Sequence, residues 1–450
     1  MEGFAHASFA YLNTNLLTQL GFDNQGFACD DNLSLITGNY SPSHLQPLST
    51  VYAGHQFGVY TSRLGDGRVH ILGDIAATDG KQWEVQVKGA GATPFARGNN
   101  GRMSLAEAIM EYLGCESMAG LGIAGTRGLA LVTHYASPTL MGIQAHEGIF
   151  VRTAETHLRF GHFEYLHNQG ELPLLKKLAD HVIAHYYPEL MAFDDATRYL
   201  HFLYAVTQRT VRLIAGWQAV GFVHSVMNTD NMSIIGLTMD YGVYGFMETY
   251  DPTYSPNDND DQDRYAFNQQ VDVGRWNCLA LAEALIELLP NKRIPASFLR
   301  LYREAYTETY QSLMRKKLGL CEPQPEDVML VSQLLDLLKK HHIDYTRFFR
   351  QFARVEQHGL ETITANSHGW HKDLKTWFEK YQQRLTLEKT QPKDREIIML
   401  IHNPKFILRQ DMLKHVICLA EEEHNFAPLQ ELLLVLQSPY AEHERHEYLA

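Results

Sequence analysis

Residues 224 to 242, HSVMNTDNMSIIGLTMDYG, constrain this chain more than any other stretch. Much of it is apolar, yet Asp230, Asn231 and Asp240 stand close together within it. Asn231 and Asp240 offer the oxygen donors that Mg²⁺ takes alongside phosphate oxygens and water. Asp230 is a further carboxylate beside them. Taken alone, NTDN also reads as an Asx-rich turn. Which reading holds depends on what the rest of the chain carries.

The chain has 450 residues, enough for two or three domain-sized units and a large core. Hydrophobic residues make up 45% and charged residues 20%, the balance of an ordinary globular protein. No apolar run approaches the roughly 18 residues of a membrane span. The start, MEGFAHASFAYLNTNLL, has the basic and apolar regions of neither a secretory signal nor a transit peptide. A net charge of −13 with no dense Lys/Arg block argues against a nucleic-acid surface. Cys29, Cys115, Cys278, Cys321 and Cys418 are scattered and form no C-x-x-C pair, which speaks against zinc or a disulfide framework. The expectation is a cytoplasmic protein with no membrane or nucleic-acid partner. There is no H-E-x-x-H, and the histidine-rich EHERHEYLA at 442–450 reads as a solvated tail.

Residues 1–50 read as a loosely patterned leader with turn signals such as TGNYSPSH. RVHILGDI and WEVQVK are strand-like and joined by AATDGKQ, as in a β-hairpin with a longer loop. SLAEAIMEYLGCESMAGLG carries apolar residues at near-helical spacing, with Ser104 and Glu107 placed for a capping box. GLALVTH and GIFVRTA read as further strands. From about residue 165 the pattern turns helical. DPTYSPNDNDDQDRYAFN, residues 251–268, is an acidic, turn-rich loop and a candidate contact region. The last third shows no recognisable catalytic pattern.

Four separated pieces fit one phosphate-handling site. Gly65 and Gly67 in RLGDGRV sit in a strand–turn–strand setting, where glycine lets backbone N–H groups approach phosphate. By itself this reads as a hairpin turn, since His70 replaces a third glycine. Lys88 ends an apolar strand, and Glu111 on the next helix is its candidate partner. The fourth piece is the opening stretch. Glycine turn, strand lysine, helical glutamate, Asn and Asp-x-Gly occur in protein-kinase order and with similar separations. His224 stands for the His of H-R-D-x-x-x-x-N, Asn231 for its metal-binding Asn, and Asp240-Tyr241-Gly242 for D-F-G. The position of the catalytic base, however, is Val226. Arg152 and Arg159 are seven apart, two turns on one face if helical, and arginine forks suit phosphate oxygens. The fold expected is α+β and protein-kinase-like, a small strand-rich N-lobe and a larger helical C-lobe. Residues 1–50 would be a leader packed on the core, 51–150 the N-lobe, 151–295 the C-lobe and 296–450 a helical C-terminal region. The residues leave open a phosphotransferase with Asp230 as base, or a non-catalytic ATP-binding scaffold.

YAGHQFG, LGDGR, VKGAGATPFAR, MAGLGI, LRFGHFEYL and MNTDNMSIIGLTMDYG together resemble the selenoprotein O family. The resemblance runs from about Val51 to near residue 285. It implies a kinase-like enzyme, once classed as a pseudokinase, that binds ATP reversed and transfers AMP to hydroxyl side chains of proteins. By motif, Gly65, Gly67 and Arg68 would lie in the nucleotide loop. Lys88, paired with Glu111, would meet phosphate together with Arg152 and Arg159. Asn231 and Asp240 would hold Mg²⁺, with Mn²⁺ as the alternative, and Asp230 would accept the proton. Such a reversal would explain Val226: with the γ-phosphate turned inward, no base is needed there.

Two departures from the family stand out. Asn100-Gly101 replaces the common Asp-Gly of the nucleotide site, keeping hydrogen bonding but losing a charge. Pro256 stands where relatives often carry the cysteine of an I-C-N segment, and the C-terminus has neither cysteine nor selenocysteine. The redox bridge of relatives is expected to be absent.

Overall fold

The computed structural model describes residues 1, 3–4, 6–135, 146–364 and 370–450. A five-stranded antiparallel sheet lies at the start of the chain, in the order β1-β6-β7-β5-β4. Its strands are β1 (Ala7–Leu12), β4 (Val69–Ala76), β5 (Gln82–Lys88), β6 (Arg127–Tyr135) and β7 (His146–Ala154). Two short pairs complete the strands: β2 (Gly54–Gln56) with β3 (Val59–Thr61), and β8 (Phe222–Val223) with β9 (Gly245–Phe246). The hairpin read from RVHILGDI and WEVQVK is β4–β5, with Val69 opposite Lys88.

The first helices are short: α1 (Thr14–Gln19), α2 (Asn24–Phe27) and α3 (Asp30–Thr37). They are followed by α4 (Leu105–Gly120), α5 (Phe160–Asn168), α6 (Leu172–Tyr186), α7 (Asp195–Val220) and α8 (Gln270–Ala284). Among the described residues, nine more helices, α9–α17, fill Phe298 to Leu436 and end with α16 (Gln410–Glu423) and α17 (Ala427–Leu436). No helix among them is long and apolar enough to cross a membrane.

The leader differs from its reading. Its apparent looseness hides β1, which forms the sheet edge against β6. Asn13, just after β1, donates to the Glu116 carboxylate at 2.8 Å and to the Gly128 carbonyl at 2.9 Å. Alternation is weak in β1 because it is only partly covered, so the period that betrays a half-buried strand is muted.

Helix α4 is the pivot. The Ser104–Glu107 capping box is present as the sequence pattern suggests. Beyond its first turn the helix is apolar nearly all round, the signature of a helix buried on every side. Leu105, Ile109 and Leu113 pack in one core with Leu131 and Phe150 of the sheet, Trp217 of α7 and Leu429 and Leu433 of α17. Two carboxylates are carried into that core, each with partners. Glu116 receives the guanidinium of Arg127 at 2.9 and 3.0 Å and the Gly128 N–H at 3.0 Å. Glu111 pairs with Lys88, which lines the cavity described below.

The C-terminal segment, read as a solvated tail, is exposed to solvent but is also held in place by ion pairs. Glu442 meets Arg350 at 2.8 Å, Arg354 at 2.6 Å and Lys405 at 3.1 Å, and Glu447 meets Lys405 at 2.5 Å. Burial alone would raise the Glu442 carboxyl, but these cations hold it down to about 2. Its exposed carboxylates meet arginines and a lysine distant in the chain.

Gly120 closes α4 against α17, where a Cβ would fall 1.9 Å from the Leu436 carbonyl oxygen. Gly120→Val should therefore destabilise the fold by about 1–3 kcal/mol through overpacking. Urea unfolding followed by circular dichroism reads this directly, as a lower midpoint with an unchanged slope.

Candidate active site

Strand alternation puts Glu84, Gln86 and Lys88 of β5 on one face, with Val85 and Val87 in the core on the other. From that face Lys88 Nζ donates to Glu111 Oε1 at 2.5 Å and to Asp240 Oδ1 at 3.4 Å. The lysine–glutamate pair expected from chain order is thus formed, and both side chains are buried.

Arg152 lies on β7, as the strand reading of GIFVRTA has it, and Arg159 just ahead of α5, so the condition of a shared helix face is not met. They converge by another route: an extended strand, then a turn that brings the chain back. Arg152 Nη1 donates to Asp240 Oδ1 at 2.5 Å, and Arg159 Nη1 donates to Asp240 Oδ2. Arg159 also donates to the Asp230 carbonyl at 2.7 Å and lies over the Tyr52 ring, 5.0 Å from its centroid. Burial opposes ionisation of Asp240, but Arg159, Arg152 and Lys88 outweigh it and hold the carboxyl well below the usual range. Three cations therefore form direct ion pairs with two carboxylates, Asp240 and Glu111, while Asp66 acts on Arg159 at longer range.

The opening stretch is braced at both ends. His224 is buried, which pulls its imidazole below the usual value and keeps it neutral; Nε2–H then donates to the Met239 carbonyl at 2.9 Å. Trp217 Nε1 donates to Thr238 Oγ1 at 2.9 Å, and Thr238 donates to the Ala124 carbonyl at 3.0 Å. Between these props Asp240 adopts a left-handed backbone, φ 61°. Val226 keeps a part in the site through its backbone: its carbonyl accepts from Asn231 Nδ2 at 2.9 Å. That bond commits the amide nitrogen and leaves Asn231 Oδ1 as the outward oxygen.

Asp230 is nearly enclosed. Gln56 Nε2 approaches Oδ2 at 3.4 Å, and Oδ1 is buried with no hydrogen-bond partner. Burial, opposed by Arg159, pushes its carboxyl up to about 6. Gly54 makes this enclosure feasible, since a Cβ there would lie 2.5 Å from Asp230 Oδ1.

A cavity of about 410 Å³ opens beside this cluster, within the size range of ligand sites. Gly67, Arg68, Lys88, Asn100, Gly101, Arg159 and Asp240 line it. Gly65 does not; it backs onto the Phe95 ring. Arg68 is turned partly aside by Glu107, at 3.1 Å. Asn100 Oδ1 accepts the Arg102 N–H at 3.0 Å, so its amide nitrogen is the end available to a ligand. Arg152, Glu111, Asp230 and Asn231 lie outside the lining, Arg152 reaching the site through Asp240. Sequence reasoning passed over Tyr52, Gln56 and Gln86. The signal for Gln86 was present, because a polar residue two before Lys88 must share its face.

Comparison with known proteins covers nearly the whole chain. A family model described as "Protein adenylyltransferase SelO" matches residues 1–437. "Protein nucleotidyltransferase YdiU" of Myxococcus xanthus is 43% identical over 403 residues, 89% of this chain and 81% of that protein. Proteins of the same name from Vibrio atlanticus and Erwinia tasmaniensis are 39% and 38% identical. They cover 97% and 99% of this chain and 89% and 92% of their own lengths.

Removing one partner of a buried pair strands the other charge. Glu111→Ala should cost about 3–5 kcal/mol of stability. In a double-mutant cycle, the Lys88→Met, Glu111→Ala pair should lose clearly less than the sum of the two single losses. Additive losses would show that the two side chains do not act as a unit.

Proposed function

The chain belongs to the SelO family of protein adenylyltransferases, and from that premise we propose how its residues carry out the transfer of AMP from ATP to a protein. The polypeptide is read as a kinase-like pair of lobes, with the sheet and α4 in the smaller and α5–α8 in the larger. Residues 1–50 pack on the smaller lobe, and 296–450 form a helical extension.

The cation cluster at Asp240 is the observation that supports this reading best. Lys88, Arg152 and Arg159 surround one carboxylate at the cavity wall, with the Arg152 Nη2 buried without a partner. Such a group suits the most highly charged part of ATP, its β- and γ-phosphates. Bound there, ATP would lie reversed relative to a kinase substrate, with the α-phosphate toward the acceptor. Gly67, Arg68, Asn100 and Gly101 would then hold the rest of the nucleotide along the cavity wall, with Gly65 shaping the turn.

The oxygen donors fit a divalent cation. Asn231 presents its Oδ1, Asp230 Oδ1 is buried without a partner, and Asp240 Oδ2 would become available as phosphate draws Arg159 away, Arg152 staying on Oδ1. Among the described residues no group of three or more His, Cys, Asp or Glu side chains is placed to hold a metal. An Asn–Asp pair completed by phosphate oxygens and water is the usual manner of Mg²⁺ binding. Asn231 and Asp240 would hold Mg²⁺ or Mn²⁺, which supplies charge neutralisation at the phosphates.

The acceptor is a Ser, Thr or Tyr hydroxyl of the protein substrate. Its oxygen forms a bond to the α-phosphorus as the bond from that phosphorus to the bridging oxygen breaks, and pyrophosphate leaves. The hydroxyl proton passes to the Asp230 carboxylate. Lys88, Arg152 and Arg159 oppose the charge that grows on the leaving pyrophosphate, the kind of fixed electrostatic stabilisation that dominates such transfers. Val226 then needs no acidic side chain; its carbonyl holds Asn231 in place.

Incubated with a protein acceptor, the enzyme should move label from α-labelled ATP and none from γ-labelled ATP. Asp230→Asn should lower kcat by roughly 10²–10⁴ while leaving ATP binding close to wild type. Labelling at the wild-type rate would remove Asp230 from the chemistry.

A further inference from the structure

Behind the cation cluster runs a buried polar chain that the reaction as described does not use. Gln86 sits directly across the β5–β7 ladder from Arg152. Gln86 is 2% exposed and Arg152 fully buried. Arg152 Nε donates to Gln86 Oε1 at 2.9 Å, while Nη1 donates to Asp240. These two bonds fix both the position and the roll of a planar guanidinium. They aim its remaining nitrogen, Nη2, which is buried and has no acceptor. A charged donor left so is costly unless a ligand oxygen meets it.

Gln86 is itself oriented. Its Nε2 donates to Glu84 Oε1 at 2.9 Å, and the same oxygen accepts from His157 Nδ1 at 2.6 Å. Burial raises the Glu84 carboxyl, but His157, Gln86 and Arg152 outweigh it, so Glu84 is ionised and accepts only. A reversed Gln86 amide would set its oxygen against that carboxylate and its NH₂ against the Arg152 Nε–H. Only one orientation is free of repulsion.

We propose that Gln86 is a positioning residue for nucleotide binding: it sets the roll of Arg152 so that Nη2 meets a phosphate oxygen, and Glu84 selects the amide orientation that allows this. The inference rests on the reading that Arg152 meets phosphate. It concerns the inner phosphates alone and so makes a selective claim. Gln86 touches no reacting atom.

The test uses the full chain and two ligands, a non-hydrolysable ATP analogue and AMP, titrated by calorimetry. Gln86→Met keeps the side chain's length and removes its acceptor. It should weaken the ATP analogue about tenfold, the scale of a lost hydrogen bond to a charged group, and leave AMP affinity unchanged. In turnover the loss should appear in KM for ATP more than in kcat. Equal weakening of both ligands, or none, overturns the proposal. Arg152→Lys separates the two levels of the argument. If it keeps full affinity for the analogue, the phosphate role of Arg152 is what fails; if it loses affinity and Gln86→Met does not, the role of Gln86 alone fails. Should Gln86→Met not fold, Glu84→Gln carries the test. An amide at 84 no longer dictates the Gln86 orientation, and the analogue should bind about threefold more weakly with AMP unaffected. Unchanged analogue binding in that variant overturns the proposal as well.

Discussion

The placement of Asp240 between Lys88, Arg152 and Arg159 is the constraint on which the rest of the site depends. The three cations come from β5, β7 and the segment before α5, so one carboxylate gathers three separate parts of the chain. Its left-handed backbone carries a strain of about 1–3 kcal/mol. That strain persists because the surroundings over-determine it. The carboxylate is gripped on both oxygens, and the adjoining Met239 carbonyl is held by His224. Without the cations, burial would leave Asp240 protonated; without Asp240, three buried positive charges would repel one another. Neither set is stable alone. A polyanion entering the cavity can replace the carboxylate as partner to the cations.

Charge buried elsewhere in the molecule obeys the same rule of mutual supply. Glu116 is fully buried yet receives Arg127, Asn13 and a backbone N–H. Arg384 meets Asp327 at 2.6 Å and Glu388 at 2.9 Å. Glu116 is met by several donors at once, so it specifies geometry without calling for a ligand. Near the Asp240 cluster, Arg152 Nη2, Asp230 Oδ1 and Glu111 Oε2 are buried and lack partners, as do atoms elsewhere such as Arg409 Nη2. What sets this group apart is its place beside a cavity of ligand size.

Local patterns in the sequence carried much of this. The β4–β5 hairpin, the capped α4 and the long α7 follow from alternation, capping and helical period, all of which act over a few residues. Order along the chain was enough to pair Lys88 with Glu111. Two features stayed hidden for one cause: the meeting of Arg152 and Arg159 at Asp240, and the ion pairs that hold the exposed C-terminal residues. In both cases the partners are far away in sequence, and a charged residue's neighbours in the chain say nothing of those in space. Gln86 was missed for a different reason. Glutamine has no chemistry of its own to draw notice, and its importance appears only when Arg152 is seen across the ladder from it. The resemblance to a known family supplied what local reasoning could not, namely that a site with valine at the base position still has work to do.

Helix α4 has neighbours on every side: the sheet above, α7 and the Asp240 segment beneath, α17 against its end, and Asn13 tied to its Glu116. Many phosphoryl-transfer enzymes switch by swinging the helix that bears the glutamate partner of the strand lysine. Here such a swing would have to unseat α17 and pull Glu116 from Arg127 in the same motion. The rudder, so to speak, is welded. Glu111 is thus carried by a helix whose displacement would have to break contacts with the sheet, α17 and Asn13 together.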